Sequence, residues 1–231
     1  MQEFFDLHIH GNKNLVEMLP LLERFNYNHA AIINFSQNEL RNLETNNLKL
    51  YSRINLNSNN INELKKLLSK NENKYDLISI RSSDKSTFNW AIQDSRVDVL
   101  TFKDESNYSI FTHEAAKICK KQEKPIELII SPFLYYTGQR RSKFMRLFSK
   151  LIRILDRSKA PFIISSNAHS KWDLRAPKDM VRILNLVDFS YTKSIHGVTT
   201  HPANVITNIQ LKKEKLNQDF VVIDEDETPG L

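Results

Sequence analysis

Cysteine is almost missing from this chain: Cys119 is the only one in 231 residues. That excludes an intramolecular disulfide and any thiolate-rich metal cluster. Beside Ala115, Ala116 and Ile118 in a helical pattern, Cys119 reads as a buried, inert thiol. Glycine is nearly as scarce, with four residues in all. No glycine-rich turn follows the first strand, which argues against an open nucleotide-binding sheet and a phosphate loop. No apolar run is long enough to cross a bilayer. The opening Met1-Gln2-Glu3-Phe4-Phe5-Asp6 lacks the basic and apolar regions of a secretory signal. The expectation is a cytoplasmic protein with no membrane partner.

What is present describes an ordinary folded protein, with 40% hydrophobic and 26% charged residues. The formal net charge of +6 favours a polyanionic partner. Short apolar runs alternate with amphipathic stretches along the whole chain. The expected strands are Phe4–Ile9, Ala30–Phe35, Leu48–Leu56, Asp76–Ile80, Val97–Phe102, Ile126–Ile130, Phe162–Ser165 and Val187–Tyr191. Their Ile, Leu, Val and Phe content suits strands covered on both faces. Helical patterns fall between them at Leu15–Phe25, Ile61–Leu68, Thr87–Gln93, Phe111–Lys121, Ser142–Leu155 and Lys178–Leu186, with a weaker one at Gln37–Leu43. Such alternation predicts parallel pairing with right-handed crossovers. About eight units predict an α/β fold closed as a TIM-like (β/α) barrel, an open doubly wound sheet being the alternative. The barrel is expected to be a single domain over residues 1–218. Residues 219–231 form a C-terminal segment whose acidic end, Asp224-Glu225-Asp226-Glu227, reads as a disordered tail.

In such a barrel, chemistry gathers where strands end. Those ends carry His8, His10, Asn34, Asn55, Asn57, Arg81, Lys103, Ser131, Ser165, Ser166 and Lys193, a rim of amides, hydroxyls and cations. Groups of these kinds hold phosphate and ribose oxygens. Asp6-Leu7-His8-Ile9-His10 puts two imidazoles on one side of a strand, where both could reach one metal. This resembles the first motif of the polymerase-and-histidinol-phosphatase barrel phosphoesterases. Asn34-Phe35-Ser36 supplies no Asp-His pair after the second strand, and no Asp-x-His occurs near the end. His8 and His10 are therefore weak metal candidates, and hydrogen bonding at the rim is the other reading.

The helix after Ser131 carries Lys143, Arg146, Lys150, Arg153 and Arg157 at steps of three and four, within about 80° of arc at roughly 100° per residue. Phe144, Leu147, Phe148, Leu151 and Leu155 occupy the side that would pack inward. RNA or an acidic protein surface would both satisfy the stripe. In the following segment, Ser165, Ser166 and Asn167 can bond either the backbone or a phosphate, and loops after late strands often form phosphate sites. Arg175 either grips phosphate or pairs with Asp173 or Asp179. Trp172 is expected to anchor the loop, with a base-stacking platform as the alternative.

Asn89-Trp90-Ala91 with Arg96-Val97-Asp98-Val99-Leu100, Ile126-Glu127 through Ser131-Pro132, and above all Ile164-Ser165-Ser166 with Asp173-Leu174-Arg175-Ala176-Pro177-Lys178-Asp179 resemble the archaeal ribonuclease P component 3 family, related to the thirty-kilodalton eukaryotic subunit. The resemblance implies a barrel akin to those phosphoesterases, working inside the ribonucleoprotein that removes the 5′ leader of precursor tRNA. It implies that hydrolysis belongs to the RNA with its Mg²⁺, that the chain itself has no cofactor, and that it pairs directly with another protein subunit. The residues expected to meet RNA or partner are Arg81, Lys103, Lys143, Arg146, Lys150, Arg153, Arg157, Ser165, Ser166, Lys171, Arg175 and Lys193.

Overall fold

Seven parallel strands, paired in chain order, curve into a nearly closed barrel: β1 Phe5–His10, β2 His29–Ile33, β3 Lys49–Asn57, β4 Leu77–Ser82, β5 Val99–Phe102, β6 Ile126–Ile129 and β7 Phe162–Ser165. This computed structural model describes residues 2–225, with side chains through Glu214. The expected C-terminal segment 219–231 and its acidic tail therefore lie outside the described side chains. The helices are α1 Leu15–Arg24, α2 Gln37–Arg41, α3 Ile61–Asn71, α4 Lys85–Gln93, α5 His113–Lys121, α6 Ser131–Tyr135, α7 Gly138–Ser158, α8 Pro177–Ile183, α9 Tyr191–Ser194 and α10 Thr200–Glu225.

Local chemistry starts several of them. Ser36 and Glu39 form a capping box that fixes even the weakly patterned α2. Asn60, Asp84 and Thr112 each accept a backbone N–H at the start of α3, α4 and α5. The helix α7 starts four residues before its expected position. It buries Phe144, Phe148, Leu151, Ile152 and Leu155, whereas Leu147 is half-buried. Phe144 and Phe148 meet Phe133 edge-on at 4.8 and 5.2 Å. Each such ring contributes about 1.5–3 kcal/mol through burial alone.

The expected eighth strand does not form. Leu184–Val187 is a 3₁₀ turn, Asp188 lies in the left-handed region at φ 59, and Tyr191 opens α9. Closure happens without that strand. Ile9 bridges Ala168 in parallel, and the His10 N–H donates to the Ala168 carbonyl at 2.8 Å. With β1 sewn directly to the segment after β7, no gap is left for another strand. Instead the turn Ile195–Val198 presses on β7, where a Cβ at Gly197 would stand 2.7 Å from Phe162.

Inside the barrel, period-two alternation stacks side chains in layers. Phe5, Leu7, Ala31, Leu77, Val99 and Ile163 form a lower apolar layer, closed from below by Val205, Ile206 and Ile209 of α10. Above it the layer becomes polar. The pairing of β1 with β2 slips by one residue between Asp6 and Ile9. That bulge turns His8 and His10 to the side that Phe5 and Leu7 occupy lower down.

Candidate nucleic-acid interface and the polar barrel interior

Arg53 on β3 and Glu127 on β6 meet at the centre of the barrel, both fully buried. The guanidinium grips the carboxylate with Nη1 to Oε1 at 2.7 Å and Nη2 to Oε2 at 2.8 Å. It also donates to the Leu7 carbonyl, to Ser79 Oγ at 3.0 Å and, from Nε, to Asn55 Oδ1 at 2.9 Å. Ser165 Oγ donates to Glu127 at 2.9 Å. Burial opposes the Glu127 charge, yet Arg53 and then His8 hold its carboxyl well below the usual range. The His8 Nδ1–H donates to Glu127 Oε2 at 2.8 Å, leaving Nε2 to face the Asn55 amide at 3.4 Å. His10 stacks on His169 at 3.6 Å, and its Nε2 meets Asn167 Oδ1 at 3.0 Å.

This donor set does not fit a divalent metal. The two imidazoles do share one side of β1, with ring centroids 5.5 Å apart. However, both His8 nitrogens are already engaged, and the Glu127 carboxylate beside them is neutralised by a guanidinium that would repel a second cation. Among the described residues no three His, Cys, Asp or Glu side chains gather as a ligand set.

Burial pushes Asp6 up to about 6, against the pull of hydrogen bonds from Ser166 and His8. Burial, with Arg53 adding and Glu127 opposing, lowers His8 from 6.5 to about 4. These groups act in opposite directions on acidification. As pH falls from 6.5 to 4, the unfolded chain takes a proton that buried His8 refuses, and stability drops. As pH falls from about 6 to 3.8, folded Asp6 takes a proton before its unfolded counterpart, and stability rises. Asp6→Asn keeps an oxygen acceptor but removes that rise. Between pH 6.5 and 4 it should therefore lose about 2–3 kcal/mol more than the native chain. Urea unfolding at the two pH values checks this, and equal slopes would refute it.

The structure splits the sequence-derived site into parts. Lys143, Arg146, Lys150, Arg153 and Arg157 all project from the outer face of α7 and are exposed. None forms an ion pair among the described residues. The helix starts at the barrel mouth, where Arg140 lies over the Tyr136 ring at 3.8 Å and approaches Glu105 at 4.0 Å. It then descends the flank towards the start of β7. Arg81 and Lys103 stand at the mouth itself, beside His10, Ser131 and Asn167.

Other residues have different work. Ser165 and Ser166 are fully buried, so they cannot hold a ligand at the surface. Ser165 serves Glu127, while the Ser166 N–H donates to Asp6 at 3.3 Å and its Oγ accepts from Ala168 N. Arg175 pairs with neither Asp173 nor Asp179; its guanidinium donates to the carbonyls of Trp172 and Leu174. Asp173 instead accepts from His169 and Ser170. Lys171 is exposed and pairs with Glu17 at 3.0 Å. Lys193 lies not on a rim strand but on α9, paired with Asp156 at 2.6 Å near the lower end of α7. Trp172 is not the loop's anchor: it is 76% exposed, with Lys171 over its ring at 5.5 Å, and Leu174 is buried in its place.

The central trio of Arg53, Glu127 and His8 was not legible as a unit in the sequence. Its signal was a lone carboxylate inside Ile126-Glu127-Leu128-Ile129 and a lone guanidinium inside the third apolar run. A charge buried in a strand must find its opposite.

Comparison with known proteins fits this arrangement. The chain is 23% identical over 211 residues to ribonuclease P protein component 3 of Methanococcoides burtonii, spanning 89% of this chain and 88% of the relative. It is 26% identical over 216 residues to the component of that name in Methanosarcina barkeri, spanning 89% of each. Its fold matches a chain of archaeal ribonuclease P solved with mature tRNA, with TM-score 0.76, 20% identity, and 90% and 91% of the two chains covered. A crystal structure of an amidohydrolase shares the barrel at TM-score 0.62 and 11% identity, over 90% and 75% of the chains. The family model described as RNase P subunit p30 matches residues 3–214, and the chain belongs to that family.

Proposed function

We propose that this chain is the barrel subunit of a ribonuclease P, gripping the enzyme's RNA while that RNA, with its Mg²⁺, removes the 5′ leader of precursor tRNA. The observation that carries this reading is the row of five exposed cations on α7 with no acidic partner among the described residues. Cations spaced along one helix face match a chain of phosphates, and they need no base-specific contact. The barrel interior supports a holding role rather than a cutting one. The Glu127 carboxylate at its centre is fixed by Arg53 and is unavailable as a general base, and His8 is held neutral in a hydrogen bond. The chain itself takes no cofactor in this reading. Its partners are the ribonuclease P RNA, a second protein subunit paired directly with it, the remaining subunits, and precursor tRNA through the assembled enzyme. No described helix is long and apolar enough to cross a membrane. The cytoplasm, where transcripts are processed, is the proposed place of work.

Reconstituting precursor-tRNA cleavage from the RNA and the other subunits, with this chain added or omitted, tests the reading. Omission is expected to slow leader removal at limiting Mg²⁺. The isolated chain is expected to leave phosphate esters intact in Mn²⁺ or Zn²⁺. Hydrolysis at an enzymatic rate that His8→Ala abolishes would overturn it.

A further inference from the structure

The mouth of the barrel contains two polar groups left without partners, side by side. Arg81, half-buried at the end of β4, forms no ion pair among the described residues, and its enclosed Nε has no acceptor. Thr101 is its register neighbour on β5, fully buried, and its Oγ1 is also unpartnered. Lys103 follows two residues later, on the same side of the chain. All three line one cavity of about 290 Å³, open at the top of the barrel and walled by His10, Ser131 and Asn167. Enclosing a guanidinium Nε and a hydroxyl without partners is costly unless something brought from outside completes them.

Acidic residues also line the cavity, but each is committed. Glu127 is held by Arg53 and His8. Asp104 accepts from the N–H and hydroxyl of Ser106, capping its own turn. Glu105 accepts from the Tyr136 hydroxyl at 3.1 Å and faces Arg140. Arg81 and Lys103 are the cations left over.

We propose that the barrel mouth binds one phosphoryl group, lodged between Arg81 and Lys103 and taking a hydrogen bond from Thr101. A carboxylate would be satisfied by the Arg81 fork alone, whereas a fork, an ammonium and a hydroxyl arriving from different directions suit the several oxygens of a phosphate. The cavity is at the small end of ligand sites, large enough for a phosphate with its sugar and too small for a duplex. The group comes either from the RNA chain or from a free phosphate ester. Assigning it to RNA rests on the ribonuclease P reading, while the pocket itself does not.

Titrating the full chain with inorganic phosphate and with a nucleoside 5′-monophosphate, followed by chemical-shift changes at the mouth, tests the proposal. Saturable one-site binding is expected. Arg81→Gln should weaken it roughly tenfold or more, and Thr101→Val by a smaller factor. Lys70→Gln, a distant charge control, should leave it unchanged. Circular dichroism identifies any variant that fails to fold, and the milder Thr101→Val then decides. Non-saturating binding, or a folded Arg81→Gln and Thr101→Val that both bind phosphate as the native chain does, would overturn the site. In the reconstituted enzyme, weaker RNA assembly by Arg81→Gln identifies the ligand as an RNA phosphate. Unchanged assembly alongside saturable phosphate binding identifies a free ester.

Discussion

Arg53→Met is expected to destabilise the folded chain by about 3–5 kcal/mol, the loss typical of stripping one member from a buried ion pair. Methionine fills much of the same volume, so the cost is not chiefly a cavity. It arises because Glu127 would keep only His8 and Ser165 as partners while its side chain stays fully buried. The carboxylate would then have to take up a proton or remain charged without its counter-ion. Adding Glu127→Gln should recover a large part of the loss, because the uncompensated charge disappears with it. Urea unfolding of the native chain, both single variants and the double variant gives the coupling energy directly. A single-variant loss below about 1 kcal/mol, the scale of an exposed pair, would show that the barrel centre is wetter than its geometry implies.

Replacing Arg146, Lys150 and Arg153 together with Ala is expected to weaken RNA assembly and make its logarithmic salt dependence shallower by about 2–3, close to one ion released per lost phosphate contact. The fold should survive. The three side chains are exposed on α7, and its inward face, Phe144, Phe148, Leu151, Ile152 and Leu155, is untouched. Alanine also favours the helix. Measuring affinity at several salt concentrations separates the two uses of this surface. A shallower slope means the stripe meets phosphates. Weaker assembly with the slope unchanged would assign it to a protein partner instead.

The barrel and its basic helix could be read from sequence because both are periodic. Alternating apolar runs placed all seven strands, and a three-and-four spacing placed the α7 stripe and the face beneath it. The errors fell where non-local contacts decide. Val187–Tyr191 has the composition of a strand, but Ile9 and Ala168 had already closed the sheet 159 positions apart in the chain. Ser165 and Ser166 look like ligand hydroxyls until Glu127 and Asp6 are found behind them. Trp172 seemed the natural anchor by size, yet Leu174, two residues on, takes the buried place. The two histidines were correctly placed on one side, although ordinary alternation from Phe5 would have sent them outward and only the bulge turns them in. Nothing in a single sequence announces a one-residue slip between strands.

The stopper formed by Val205, Ile206 and Ile209 has a consequence for how the molecule comes into being. Those residues leave the ribosome after every strand they seal. Until they arrive, the underside of the nascent barrel is a greasy well ringed by Phe5, Leu77, Val99 and Ile163. Synthesis thus brings the floor of this vessel after its walls, and the growing protein is most prone to stick to its neighbours until that floor arrives.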